Sequence, residues 1–286
     1  MNSSSSNVKP KRSVLITGCS TGIGKCLAQG LSRNDFHVIA SCRSESDRAA
    51  LEALGIDAIL LDVTDSESIS AGVKEALSLS GGKLYGLINN AGYGQPGAVE
   101  DISLAALRQQ FETNVFGAHE LTRQLLPMMR ANNEGRIIQI SSVLGVICLK
   151  FRGAYNASKF ALEALTDTMR LELADTGIKC CLVEPGPIAS NFRKNAMNHY
   201  QQSVANAHSP FKDTYERMVS RFNEGKPSKF TLGPEAVLAA VLHALNSNKP
   251  KVRYPVTLPT RIMFPLKRLL PDRWMDRFLL RAGGDE

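Results

Sequence analysis

The sequence predicts an α/β fold, a single doubly wound parallel sheet with helices on both faces and a C-terminal extension. Three observations carry the prediction. Short apolar, β-rich runs alternate with longer helical patterns, which is the order of βαβ units. A glycine-rich turn falls between the first such run and the first helix. No internal repeat or change of composition marks a second domain, and 286 residues can bury one large core.

Ser13 to Thr17 (SVLIT) is the first strand, followed by GCSTGIG and a helical pattern. Phe36 to Cys42 is the second strand. The next helix opens at Ser44 with Asp47 three residues on, a capping-box-like start, and ends near Gly55. Ala58 to Val63 reads as the third strand, Ser66 to Leu79 as a helix and Leu84 to Asn90 as the fourth strand. Ser103 to Arg130 holds two helical patterns in close succession, and Gly135 to Ser141 is the fifth strand. Tyr155 to Asp175 is a long amphipathic helix with Leu162, Leu165, Met169 and Leu173 in one stripe. Ile178 to Glu184 forms the sixth strand. Thr231 to Asn246 is helical with Pro234 in its first turn, and a final strand starts at Lys251. The span 187–230 is too long for a plain connection and is expected to be a lid with some helix. The domain reading is a disordered polar N-terminus (1–12), a Rossmann-type catalytic domain (13–257) and a basic amphipathic extension (258–286).

The net charge of +7 is uneven: residues 1–12 contribute +3 and residues 249–286 contribute +5, leaving the body at −1. The main domain therefore lacks the basic face of a nucleic-acid binder. No apolar run reaches the length of a membrane span, and the polar start MNSSSSNVKPKR has no hydrophobic signal region, so a cytoplasmic protein is expected. Six cysteines show no C-x-x-C spacing and five histidines are scattered, so reduced thiols and no metal site are expected. Cys180 and Cys181 are adjacent in a strand and should face opposite ways.

Two patterns carry chemistry. Gly18, Gly22 and Gly24 are spaced G-x-x-x-G-x-G directly after the first strand, where glycines let the backbone approach a pyrophosphate seated on a helix amino end. Tyr155 and Lys159, four apart on a helix, share one face. An ammonium beside a phenol favours the phenolate, making the pair an acid/base device. Bringing a tyrosine from about 10 to neutrality takes about 4 kcal/mol of differential stabilisation.

The motifs TGCSTGIG, NNAG (Asn89 to Gly92), Asn114, Ser142, YNASK (Tyr155 to Lys159) and EPGP (Glu184 to Pro187) together resemble the short-chain dehydrogenase/reductase family over roughly residues 13–251. The likeness is nearer to bacterial NADP-dependent aldehyde reductases, and looser to 17β-hydroxysteroid dehydrogenases, through FHVIASCR, FRGAY, IKCCLVEPGPI, KVRYPVTL and KRLLPDRWMD. The resemblance implies that Gly18, Ser20, Gly22, Ile23 and Gly24 hold the cofactor phosphates. It implies that Asp62 and Val63 meet the adenine, and that Asn90, Ala91 and Gly92 line the ribose. Tyr155 would be the general acid/base, with Lys159 lowering its pKa and binding the nicotinamide ribose. Ser142 would hold the substrate oxygen, Asn114 would complete a proton relay to Lys159, and Pro185, Gly186 and Ile188 would contact the nicotinamide. A threonine often follows the Pro-Gly of this family; here Ala189 and Ser190 do. Homodimers or homotetramers are implied as well.

The second strand ends Ser41-Cys42-Arg43, with no acid to take a ribose 2′-hydroxyl, and Arg43 offers a planar charged fork to a 2′-phosphate. NADP(H) is therefore expected. Leu149, Phe192, Met197, Phe211, Tyr215, Met218 and Phe222 suggest an apolar pocket for a lipophilic carbonyl compound. The expected activity is NADPH-dependent reduction of an apolar aldehyde or ketone. The alternatives are an oxidative hydroxysteroid or retinol dehydrogenase and a non-catalytic dinucleotide-binding regulator. Residues 258–281 interleave Arg261, Lys267, Arg268, Arg273, Arg277 and Arg281 with Ile262, Phe264, Leu266, Leu269, Trp274, Phe278 and Leu279 among other apolar residues. Pro265 and Pro271 are expected to divide them into short helical pieces that pack on the domain or a second subunit, with weak membrane-surface contact as the other reading.

Overall fold

A computed structural model describes residues 11–205, 208–225 and 230–282. In order, the elements are β1 (Arg12–Ile16), α1 (Gly22–Ser32), β2 (Phe36–Cys42), α2 (Glu45–Glu52), β3 (Asp57–Leu60), α3 (Ser66–Leu79) and β4 (Leu84–Asn89). Then follow α4 (Leu104–Phe111), α5 (Gly117–Ala131), β5 (Gly135–Ile140), α6 (Gly153–Glu172), β6 (Ile178–Glu184), α7 (Phe192–Ser203) and α8 (Lys212–Asn223). The chain closes with α9 (Glu235–Asn246), β7 (Arg253–Pro255), α10 (Leu258–Leu269) and α11 (Asp272–Ala282). The seven strands form one parallel sheet in the order β3-β2-β1-β4-β5-β6-β7. The order reverses at β1 and β4, so their carboxyl ends flank a crevice at the topological switch point.

Strand alternation divides the core. Val14 and Ile16 face α1 and α9, while Leu15 between them faces α3 and α5. Cys181 joins the first layer and Cys180 the second, so the adjacent thiols do face opposite ways. Local chemistry sets the helix starts: Ser44 accepts from Asp47 N, Asp65 from Glu67 N and Ser68 N, and Ser103 from Ala106 N.

Several expectations need correction. Arg12 is ordered as the first residue of β1, its guanidinium bonded to Leu245 O (3.2 Å) and stacked over the Tyr85 ring (4.4 Å); residues 1–10 lie outside the described ones. β3 stops at Leu60, because past Leu61 the chain turns on Asp62, whose Oδ1 accepts from Thr64 N (2.9 Å). Asp62 and Val63 therefore sit beyond the strand and not at its end. Leu165 is 42% exposed, since the buried stripe of α6 runs through Leu162, Glu163 and Thr166 instead. α10 continues through Pro265, whose missing N–H falls on an exposed side, and the break comes only before α11. The span 187–230, expected to hold some helix, does contain two, α7 and α8, with residues 206–207 and 226–229 outside the described ones.

Candidate active site

The glycine turn between β1 and α1 has a separate need at each position. Gly18 (φ +72°) and Gly22 (φ +58°) take the left-handed conformation that side chains resist. At Gly24 space is the reason: a Cβ would lie 2.1 Å from Gly18 O and 2.6 Å from Asn90 Nδ2. Thr17 staples this turn to the end of β4, its Oγ1 accepting from Asn90 N (3.0 Å) and Ala91 N (2.9 Å). Asn90 Nδ2 donates back to Thr17 O (2.8 Å) and Gly18 O (3.1 Å). Gly92 is exposed beside them, and Ser20 and Ile23 are half-buried. Thr21 starts α1 without a side-chain cap, and no acid occupies the first turn. Free N–H groups, a positive helix end and a surface without Cβ atoms fit a pyrophosphate.

Arg43 follows β2 as an exposed side chain, and among the described residues it has no ion pair. Its charge, after burial, helps hold His199 of α7 below the usual histidine range. Val63 O sits against Gly117, where a Cβ would approach to 2.1 Å, so the start of α5 fixes the turn that carries Asp62 and Val63.

The acid/base residues meet where β5 ends and α6 begins. Ser142, with Oγ accepting from Leu144 N (3.1 Å), faces the buried Tyr155 phenol. Burial pushes Tyr155 up to about 12, and the Ser142 hydrogen bond pulls it back. Lys159 Nζ donates to Ile140 O (2.8 Å) and lies 5.7 Å from the centre of the Tyr155 ring. Burial lowers Lys159 to about 8 against the attraction of Glu163. Asn114 lies on a π-helical turn, Glu112–Phe116, between α4 and α5. Its Oδ1 accepts from Tyr93 N (3.1 Å), and its Nδ2 donates to Tyr93 O (3.0 Å) and Ser158 Oγ (3.1 Å). Among the described residues no hydrogen bond joins Asn114 to Lys159, so the expected relay between them is not made by direct contact. The Asn114 amide fixes the Tyr93 backbone.

Pro185 O accepts from Val143 N (2.9 Å), tying the sixth-strand end to the residue after Ser142. Gly186 leaves no room for a Cβ, which would fall 2.2 Å from Thr257 Oγ1, and Ile188 pairs with Leu232 while packing on the core. Ser190 leans over the glycine turn, its Cβ 3.2 Å from where one on Gly22 would stand. Phe192 sets its ring edge-on to Tyr155 with centroids 5.4 Å apart. Of the apolar residues expected to line a pocket, Met197, Phe211, Tyr215, Met218 and Phe222 share one cluster with Ala98, Ile102 and Phe151 and so seat this segment on the domain. Leu149 is half-buried with its carbonyl accepting from Asn156 Nδ2 (3.1 Å), and Phe192 stands at the tyrosine. Sequence reasoning missed Thr17, Tyr93 and His199; the last two stack at 3.9 Å. Thr17 lies in the glycine motif and was findable, whereas the stacking pair is 106 residues apart with no local pattern. Among the described residues, no group of three His, Cys, Asp or Glu side chains could hold a metal ion, and no helix is long and apolar enough to cross a membrane.

The sequence model of the family described as short chain dehydrogenase matches residues 12–201. The chain is 47% identical over 269 residues to the uncharacterized oxidoreductase YbbO of Escherichia coli K12, covering 94% of each. It is 34% identical over 282 residues to the NADPH-dependent 3-dehydrocapnine reductase of Ornithobacterium rhinotracheale, covering 94% of this chain and 96% of that protein. The crystal structure of a short-chain dehydrogenase from Streptomyces avermitilis superposes with a TM-score of 0.73 at 29% identity, covering 90% of this chain and 95% of that one.

Proposed function

The chain belongs to the short-chain dehydrogenase/reductase family, and from that premise we propose that it reduces an apolar aldehyde or ketone with NADPH. The observation that carries the reading is the convergence of Ser142, Tyr155 and Lys159 at the end of β5. Gly18, Ser20, Gly22, Ile23 and Gly24 would hold the cofactor phosphates, Asp62 and Val63 the adenine, and Asn90, Ala91 and Gly92 the ribose. Pro185, Gly186 and Ile188 would meet the nicotinamide, and Lys159 its ribose. Arg43, exposed after β2, favours NADPH over NADH, in keeping with a relative named as NADPH-dependent.

When bound, the dinucleotide supplies a hydride to the carbonyl carbon. Tyr155 gives its phenolic proton to the carbonyl oxygen, so that the alcohol leaves neutral. Ser142 Oγ donates a hydrogen bond to that oxygen and fixes its position. Lys159, protonated, stabilises the phenolate left behind. Phe192 covers the tyrosine and excludes water. Asn114 holds the Tyr93 backbone, keeping the strand-four loop and α6 in register through Ser158.

As partners we propose a small lipophilic substrate, a second copy of the chain, as the family resemblance implies, and weak contact with an anionic lipid surface through residues 258–281. The experiment is a panel of medium- and long-chain aldehydes, steroids and retinal, each with NADPH and NADH. NADPH-dependent reduction is expected, with kcat in Tyr155→Phe lower by about 10²–10⁴. Undiminished turnover in Tyr155→Phe overturns the mechanism, and no turnover of any carbonyl overturns the enzyme reading.

A further inference from the structure

On α6 the acid/base pair does not end at Lys159. Tyr155, Lys159 and Glu163 follow at four-residue spacing on one buried stripe, with Asp167 next. Two residues near the end of β5 serve the first two turns: Ser142 faces Tyr155, and Ile140 O holds Lys159. Arg253 of β7 then clamps the far end. Its Nη1 donates to Glu163 Oε2 and to Glu184 Oε1 (2.8 Å), and its Nη2 to Asp167 Oδ2 (2.5 Å).

Charge balance gives this chain of contacts a role. Asp167 is shared with Arg170 (3.1 Å), which leaves Glu163 and the fully buried Glu184 on a single guanidinium. Among the described residues Glu163 Oε1 and Glu184 Oε2 are buried without a hydrogen-bond partner. The buried cation one turn earlier on the same stripe is Lys159, whose hydrogen bond, to Ile140 O, carries no charge; among the described residues no ion pair joins it to Glu163, so the carboxylate acts on it through space. Arg268 of α10 completes the charged groups around Glu163, across a cavity of about 220 Å³ that both line with Arg253.

We propose that Glu163, clamped by Arg253, is a positioning residue whose carboxylate keeps Lys159 protonated beside Tyr155. The proposal rests on the roles given above to Tyr155 and Lys159. Burial drives Lys159 toward neutrality and Glu163 opposes it, so removing the carboxylate lowers the lysine's midpoint further. Glu184, pushed up to about 8 chiefly by burial and by Glu163, takes a proton in the same range and damps the change without reversing it.

The test follows Lys159 directly, by NMR titration of its side-chain amine, assigned with Lys159→Arg, in wild type and Glu163→Gln. The midpoint is expected to fall by about one pH unit. The alkaline limb of kcat/KM for carbonyl reduction should move by the same amount, with KM for NADPH at pH 6 unchanged. In the Lys159→Arg background, where the cation stays charged, Glu163→Gln should leave the limb where it is. Should Glu163→Gln fail to fold, Glu163→Asp, which withdraws the charge by one methylene, gives a smaller shift in the same direction. An unmoved midpoint in the folded variants overturns the proposal even if Tyr155→Phe is inactive. A lowered midpoint with full turnover in Tyr155→Phe overturns the catalytic reading instead.

Discussion

Arg43 shows what a single side chain can declare from sequence. Its position after β2 follows from a strand end and a capped helix start, both of which are local patterns. The structure adds that the guanidinium is exposed and, among the described residues, unpaired. Charge-assisted hydrogen bonds to a 2′-phosphate contribute about 1.5–3 kcal/mol. Arg43→Ala should therefore raise KM for NADPH roughly tenfold to a hundredfold and leave KM for NADH alone; initial rates with both cofactors measure it. Gly18, Gly22, Gly24, Tyr155 and Lys159 were legible for the same reason, because each belongs to a short motif. Glu163 was not. Its partner lies 90 residues away, and a glutamate on an amphipathic helix looks like any solvated one.

At the scale of elements, the strands and helices came through with ends moved by no more than four residues, since periodicity locates an element better than its boundary. The failures came from tertiary contacts. Leu165 belongs to an apolar spacing that packing passes over, and the end of β3 depends on the turn at Asp62. The extension was legible as amphipathic, but its seat was not. α10 and α11 bury Met263 and Met275 against Ile147, with Val143 and Leu144 of the turn after Ser142 in the same small core. Met275→Ala should cost about 2–5 kcal/mol. Because those contacts support the turn that aims Ser142, kcat should fall at temperatures where the variant is still folded. Denaturant melts paired with rates at one temperature test both.

For the whole molecule, the near-neutral body and basic carboxyl end become a shape. α10 leaves Leu258, Ile262 and Leu269 exposed at helical spacing, the last at 80%, and α11 adds Trp274 and Phe278. Arg261, Arg268, Arg273 and Arg277 are exposed among them. A two-fold contact made by this side alone would set like charges against each other, whereas an anionic bilayer accepts apolar and basic groups together. The protein should sediment with vesicles containing phosphatidylserine and less with neutral ones, and Leu269→Glu with Trp274→Glu should abolish the difference. Equal recovery with both vesicle types refutes the lipid contact.

The clamp of Arg253 on α6 also has a meaning in time. Glu163 leaves the ribosome 90 residues before the arginine that neutralises it. Until β7 is made, docking α6 buries carboxyl groups that lack their cation and must take up protons or bear an unpaired charge, which weakens the docking. The helix that carries Tyr155 is therefore expected to settle fully only once β7 has been made.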